Sequence, residues 1–60
     1  MDLDLHINMD NAAFEDGSGA EVARILRKLA DGMRTDLLPG DAEPLYDVNG
    51  NQVGAVTVTK

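Results

Sequence analysis

His6 is the only histidine in the chain. Asp4 lies two residues before it, so in an extended segment the imidazole and the carboxylate share one face. Such an oxygen–nitrogen pair is the beginning of a metal site. Zinc, however, wants more nitrogen or sulfur ligands than one histidine and no cysteine can supply. Catalysis by His6 needs a nucleophile or a pocket beside it, and a surface strand provides neither. The expectation is that His6 belongs to a surface, with no metal and no cofactor.

Two other stretches have spacings that invite chemistry. Asp47-Val48-Asn49-Gly50-Asn51 offers oxygen ligands at alternate positions, as the start of a calcium loop does. The sixth position is then Gln52 where glycine is needed, and the twelfth is Val58 where a bidentate glutamate is needed. A tight hairpin explains Asn49 and Gly50 without an ion. Gly17-Ser18-Gly19 ahead of a helical stretch could hold an anion at a helix N-terminus. It lacks the lysine and the preceding buried strand of a phosphate loop, and Glu15, Asp16 and Glu21 repel a phosphate. Ser18 therefore reads as a helix cap, and Thr57 and Thr59 as ordinary strand residues. No enzyme is expected.

What remains is surface, and its charge is uneven. The 60 residues carry 11 acids and 5 bases, a formal net charge of -6. Asp2, Asp4, Asp10, Glu15 and Asp16 precede any base, whereas Arg24, Arg27, Lys28 and Arg34 fall in the next segment. The acidic balance argues against direct nucleic-acid binding, which needs a basic footprint. An acidic surface can instead compete for a basic groove by imitating phosphates. The helical bases read as a solvated face, or as a docking surface for an acidic partner or a second copy.

These side chains must be positioned by a small scaffold. One domain is expected, residues 1–60, too short for a nucleotide-binding α/β fold or a barrel. Without cysteine there is no disulfide framework. No apolar run approaches the ~20 residues that span a bilayer. Met1-Asp2-Leu3-Asp4 has neither the basic nor the apolar region of a secretory signal, so a cytoplasmic location is expected. A chain of this size is near the lower limit for folding alone, which favours self-association or a partner.

Leu3, Leu5, Ile7 and Met9 alternate with Asp2, Asp4, His6 and Asn8, which predicts a strand over 2–9 with one wet face. Residues 10–19 read as a connection, rich in Gly, Asp and Asn. Phe14 within it closes a core edge, or else stands out as an anchor for a partner. Ser18 and Glu21 fit a capping box. Val22, Ile25, Leu26, Leu29 and Met33 then mark one helical face, with Arg24, Arg27, Lys28 and Asp31 opposite and Arg27 able to pair with Asp31. Gly32 ends the helix or lies within it; an end near Arg34 is favoured, because Leu38-Pro39-Gly40 is a stop. Residues 36–44 read as a loop. Asn49-Gly50 joins strands at 45–48 and 51–59 in a hairpin whose turn residues both need φ > 0. Val53 is out of phase with Val56 and Val58, so a bulge at Gly54-Ala55 is predicted to bring all three to one face.

Three stretches together resemble a known group. They are Asp10-Asn11-Ala12-Ala13-Phe14, the helix from Glu21 to Asp31, and Asp47-Val48-Asn49-Gly50-Asn51-Gln52-Val53-Gly54. The chain resembles short bacteriophage and prophage proteins of unassigned activity. These share an Asn-Ala-Ala-Phe loop, an amphipathic helix and an Asp-x-Asn-Gly-Asn-x-Val-Gly hairpin. Gly32 departs from the more continuous helix of that group. The resemblance implies a phage-encoded accessory protein in the bacterial cytoplasm, and it carries no activity that transfers residue by residue.

The expected fold is α+β in the order β-α-β-β, one amphipathic helix on a three-stranded, mainly antiparallel sheet. The last strand, the most β-branched, takes the centre. The expected core is Leu3, Leu5, Ile7, Phe14, Val22, Ile25, Leu26, Leu29, Met33, Val53, Val56 and Val58, and only one of Leu45 and Val48 can face the helix. The expected function is a non-catalytic protein-interaction module that modulates a host factor or pairs with a second copy. The alternative is an acidic nucleic-acid mimic using Asp2, Asp4, Asp10, Glu15 and Asp16. Candidate partner-binding residues are Asp2, Asp4, His6, Asn8, Asp10, Glu15, Asp16, Arg24, Arg27 and Lys28.

Overall fold

The computed structural model describes residues 1–60. The elements are β1 (Asp2–Ile7), a 3-10 turn (Ala12–Phe14), α1 (Ser18–Asp31), β2 (Ala42–Tyr46) and β3 (Gln52–Thr59). They build the expected α+β fold. The sheet order is β1-β3-β2, and both outer strands run antiparallel to β3. The valine-rich strand is central, where branched side chains pack against neighbours on both sides.

The helix forms on the apolar stripe, but its ends differ from expectation. Gly17, at φ 72°, is the N-cap, and no side chain caps the helix. The Gly17 carbonyl accepts the N–H groups of Ala20 and Glu21. Ser18 is thus the first helical residue and the capping box does not form, because glycine reaches the left-handed entry angle without steric cost. At the far end α1 stops at Asp31 with Gly32 as C-cap, short of Arg34. The Gly32 N–H reaches the carbonyls of Lys28 and Leu29, a tightened last turn. Ion pairs form at Arg24–Glu21 and Arg34–Asp41, not at Arg27–Asp31.

The strand boundaries also move. β1 ends at Ile7 rather than Met9, because the Asn8 side chain turns to accept the Asp10 N–H. β2 spans 42–46, not 45–48, and so contains Pro44 from the predicted loop. An edge strand tolerates proline where its missing N–H would face away from the sheet. Leu45 takes the inward position and Val48, 64% exposed, falls in the turn.

The hairpin closes with the Gly50 N–H donating to the Asp47 carbonyl at 3.0 Å and the Asp47 N–H to the Asn51 carbonyl at 2.9 Å. Only Gly50 has positive φ, at 84°, so one left-handed residue suffices where two were expected. The bulge sits one residue earlier than predicted. Leu45 pairs with Gly54 and Tyr46 with Gln52, so Val53 is the extra residue. It brings Val53, Val56 and Val58 to the buried face together.

Phe14, Ile25, Leu45, Val53 and Val56 form the core, flanked by Ile7, Ala13, Val22 and Leu29. The 3-10 turn carries the Phe14 ring inward, and its burial contributes about 1.5–3 kcal/mol. Four expected core residues are exposed instead: Leu3 at 46%, Leu5 at 41%, Leu26 at 40% and Met33 at 40%. The cause is where α1 rests. Arg24 donates to the Tyr46 carbonyl and Glu21 accepts the Val48 N–H, which seats the helix over β2 and the hairpin. Of the inner row of β1, Ile7 packs against the core, while Leu3 and Leu5 lie at the margin of the helix. No helix is long and apolar enough to cross a membrane.

Candidate functional site

The inner face of β1 is set by its register. Leu3 pairs with Val58, Leu5 with Val56 and Ile7 with Gly54, so all three point to the helix side. On α1, Leu26 lies on the flank away from Glu21 and Arg24, because its position around the helix differs from theirs by more than a third of a turn, and Met33 follows just past the Gly32 C-cap. Leu3 and Leu5 on β1, Leu26 on α1 and Met33 after it are the exposed apolar groups of this side, and we group them as one apolar strip. It continues into a cleft of about 60 Å³ lined by Leu3, Leu29, Met33, Leu37, Val56 and Val58, with Arg34, Asp41 and Glu43 also on its wall. That volume is far below the several hundred Å³ of a small-molecule site and suits a single side chain. A second opening of about 290 Å³ lies along the α1–β2 seam, with Lys28, Glu43 and Tyr46 among its lining.

The outer face of the sheet is polar on its β1 side. Asp2 pairs with Thr59, Asp4 with Thr57 and His6 with Ala55, so the acids and the imidazole share this face. Asn8 lies just beyond, in the turn it closes onto Asp10. Asp10 follows, and Glu15 and Asp16 occupy the loop before α1; all are exposed. None of the acids from Asp2 to Asp16 forms an ion pair. Arg27 and Lys28 are exposed on α1, on the opposite layer from the β1 acids. Arg24 is not a free candidate: Nε and Nη2 grip Glu21 at 2.8 and 3.1 Å, and Nη2 also reaches the Tyr46 carbonyl.

Glu21 and Asp47 are the buried polar residues, and the sequence reading did not single out either as a buried anchor. The hydrogen bond from Arg24 holds the Glu21 carboxyl below the usual carboxylate range, against the cost of burial; the Val48 N–H assists. Its partner effect raises Arg24. Burial works against the charge on Asp47. The Asn51 N–H and side-chain amide, the Asn11 amide and the Asn49 N–H outweigh that cost and also hold its carboxyl low. Asp47 therefore pins the loop at Asn11 to the hairpin, at 2.7 Å to Asn11 and 2.9 Å to each of the Asn49 and Asn51 N–H groups. Its oxygens are committed to the protein. The legible signal is the Asp-x-Asn-Gly-Asn spacing, of which a tight turn explains Asn49 and Gly50 but not the burial of Asp47.

No three side chains of His, Cys, Asp or Glu converge in a way that could hold a metal ion. Comparison of the chain with family models, with curated proteins and with solved structures finds no match in any of the three.

Proposed function

We propose that this protein is a non-catalytic interaction module that binds another protein through the apolar strip of Leu3, Leu5, Leu26 and Met33. The carrying observation is that these side chains are all 40% exposed or more, and that Leu3 and Met33 share the wall of one cleft, in a domain whose own core is small. Large apolar side chains left uncovered side by side mark a protein contact surface. The polar groups beside the strip, Arg34, Asp41 and Glu43, would form a rim around it. The resemblance to short phage proteins suits an accessory protein that modulates a host factor.

The test is capture from a bacterial lysate by the immobilised parent chain and by the Leu26→Asp variant, which changes an exposed position. A protein held by the parent and lost by the variant supports the reading. No retained protein, or the same set on both, overturns it.

A second reading is favoured by the unpaired acids of β1 and the following loops. In it, Asp2, Asp4, Asp10, Glu15 and Asp16 imitate phosphates for a basic groove. The two differ in salt dependence. Binding through the acids collapses by about 0.5 M salt, where charges are screened beyond ~4 Å, while binding through the strip persists.

A further inference from the structure

We propose that β1 is a self-pairing edge, joining a second copy of this chain in antiparallel register with Leu5 opposite Leu5. The proposal rests on the interaction-module reading and names the partner that the β1 part of the strip accepts.

The two edges of the sheet are treated differently. On β2, Pro44 sits opposite Ala55 and cannot donate outward, and Glu43, opposite Val56, puts a charge on the inner face. Both devices discourage pairing with another strand. β1 has neither: its inner face carries only Leu3, Leu5 and Ile7.

The hydrogen-bonding phase of β1 is known from its end. The Asn8 N–H donates to the Val53 carbonyl at 2.7 Å. Backbone groups alternate along a strand, so even positions face β3 and those of Leu3, Leu5 and Ile7 face the open edge. A second β1 can therefore bond at odd positions only, which leaves a few registers.

Side chains choose among them. With Leu5 opposite Leu5 on the two-fold axis, Leu3 meets Ile7 of the other copy on the inner face. On the outer face Asp4 meets His6 on both sides of the axis, so each Asp4 carboxylate faces an imidazole N–H donor. Sliding by two residues one way sets Asp4 against Asp4, and by four sets Asp2 against Asp4. Sliding two the other way pairs only residues 5 to 7 of each strand and parts Asp4 from His6. Like charges directly opposite destabilise a strand pair. Only the Leu5-centred register avoids all of these. The axis stands perpendicular to the sheet, so both helices lie on one side and the leucine rows merge into one apolar floor.

The experiment is sedimentation equilibrium of the parent chain from micromolar to about 1 mM, with oxidation of the Leu5→Cys and Leu3→Cys variants. The native chain has no cysteine, so any disulfide is the engineered one. Paired residues on the axis lie ~5.5 Å apart at Cα, within disulfide reach; two Leu3 positions lie four residues out of register, ~13 Å apart. Dimer mass with cross-linking of Leu5→Cys and not Leu3→Cys is the expected result. A parent that stays monomeric to 1 mM overturns the proposal, and so does cross-linking at Leu3 equal to that at Leu5. The parent measurement needs no variant to fold. A monomer that still captures a lysate protein, with loss in Leu26→Asp, removes the self-pairing alone; a monomer that captures nothing removes the interaction module as well.

Discussion

Gly54→Ala adds one methyl group where the backbone of β1 lies directly against β3. A Cβ built there overlaps the His6 carbonyl oxygen and lies 2.8 Å from its carbon and 3.0 Å from the Ile7 Cα. All three atoms are backbone, so no rotamer change relieves the clash. Carbon and oxygen need about 3.3 Å, so the strands must part locally by about 1 Å or more. The Asn8–Val53 bond at 2.7 Å then exceeds hydrogen-bonding range, and the adjacent His6–Ala55 pair is strained with it. Losing these bonds and leaving groups unsatisfied costs about 3–4 kcal/mol. A chain of this size holds about 3–9 kcal/mol in all. The expected thermal midpoint falls by more than about 12 °C, read by circular dichroism at matched concentration. Gly19→Ala is the control, since its Cβ meets nothing within 4 Å and the residue is helical. It should raise stability by up to about 1 kcal/mol. A Gly54→Ala midpoint within about 2 °C of the parent refutes the close approach of β1 to the bulge, and with it the register used above.

Two further outcomes follow from the core and the buried carboxylates. Phe14→Ala removes the only buried aromatic ring and should cost about 3–5 kcal/mol, enough to leave the chain largely unfolded; near-parent urea midpoints would show that the 3-10 turn does not close the core. Glu21 and Asp47 are both held low in the folded chain, so the unfolded chain takes up their protons first as pH falls. Their stabilisation is complete above about pH 5 and is lost as the pH drops through the folded values; Glu21→Gln should flatten this acid limb of the urea midpoint between pH 7 and 2, and an unchanged limb would refute it.

The strip and the edge share β1, and this ties the two proposals to one piece of structure. Leu3 and Leu5 are exposed on the inner face because the helix does not cover them. Their own N–H and carbonyl groups are open at the edge because no fourth strand follows. A partner strand satisfies the second deficit directly and extends the apolar floor that a further protein can occupy.

Local pattern alone determined the element order, the central place of β3 and the need for a bulge among the valines. These follow from periodicity, from β-branching and from a phase error visible in three residues. For Phe14 it left core closure and an exposed anchor both open, and the 3-10 turn that carries the ring inward decided between them. Tertiary structure decided the rest. Periodicity says which residues share a face but not whether that face is covered. A helix with its side chains is about 10–12 Å wide, and strands lie about 4.8 Å apart, so one helix centred over β2 and β3 cannot also seal β1. The seat of that helix is set by Glu21 and Arg24 reaching the hairpin, contacts across 22 and 27 residues of sequence. The role of Asp47 is non-local in the same way, because Asn11 lies 36 residues from it. Helix and strand ends shifted for a related reason: Gly17, Asn8 and Pro44 each take their place from a neighbour's geometry or an edge, neither of which a one-dimensional pattern contains.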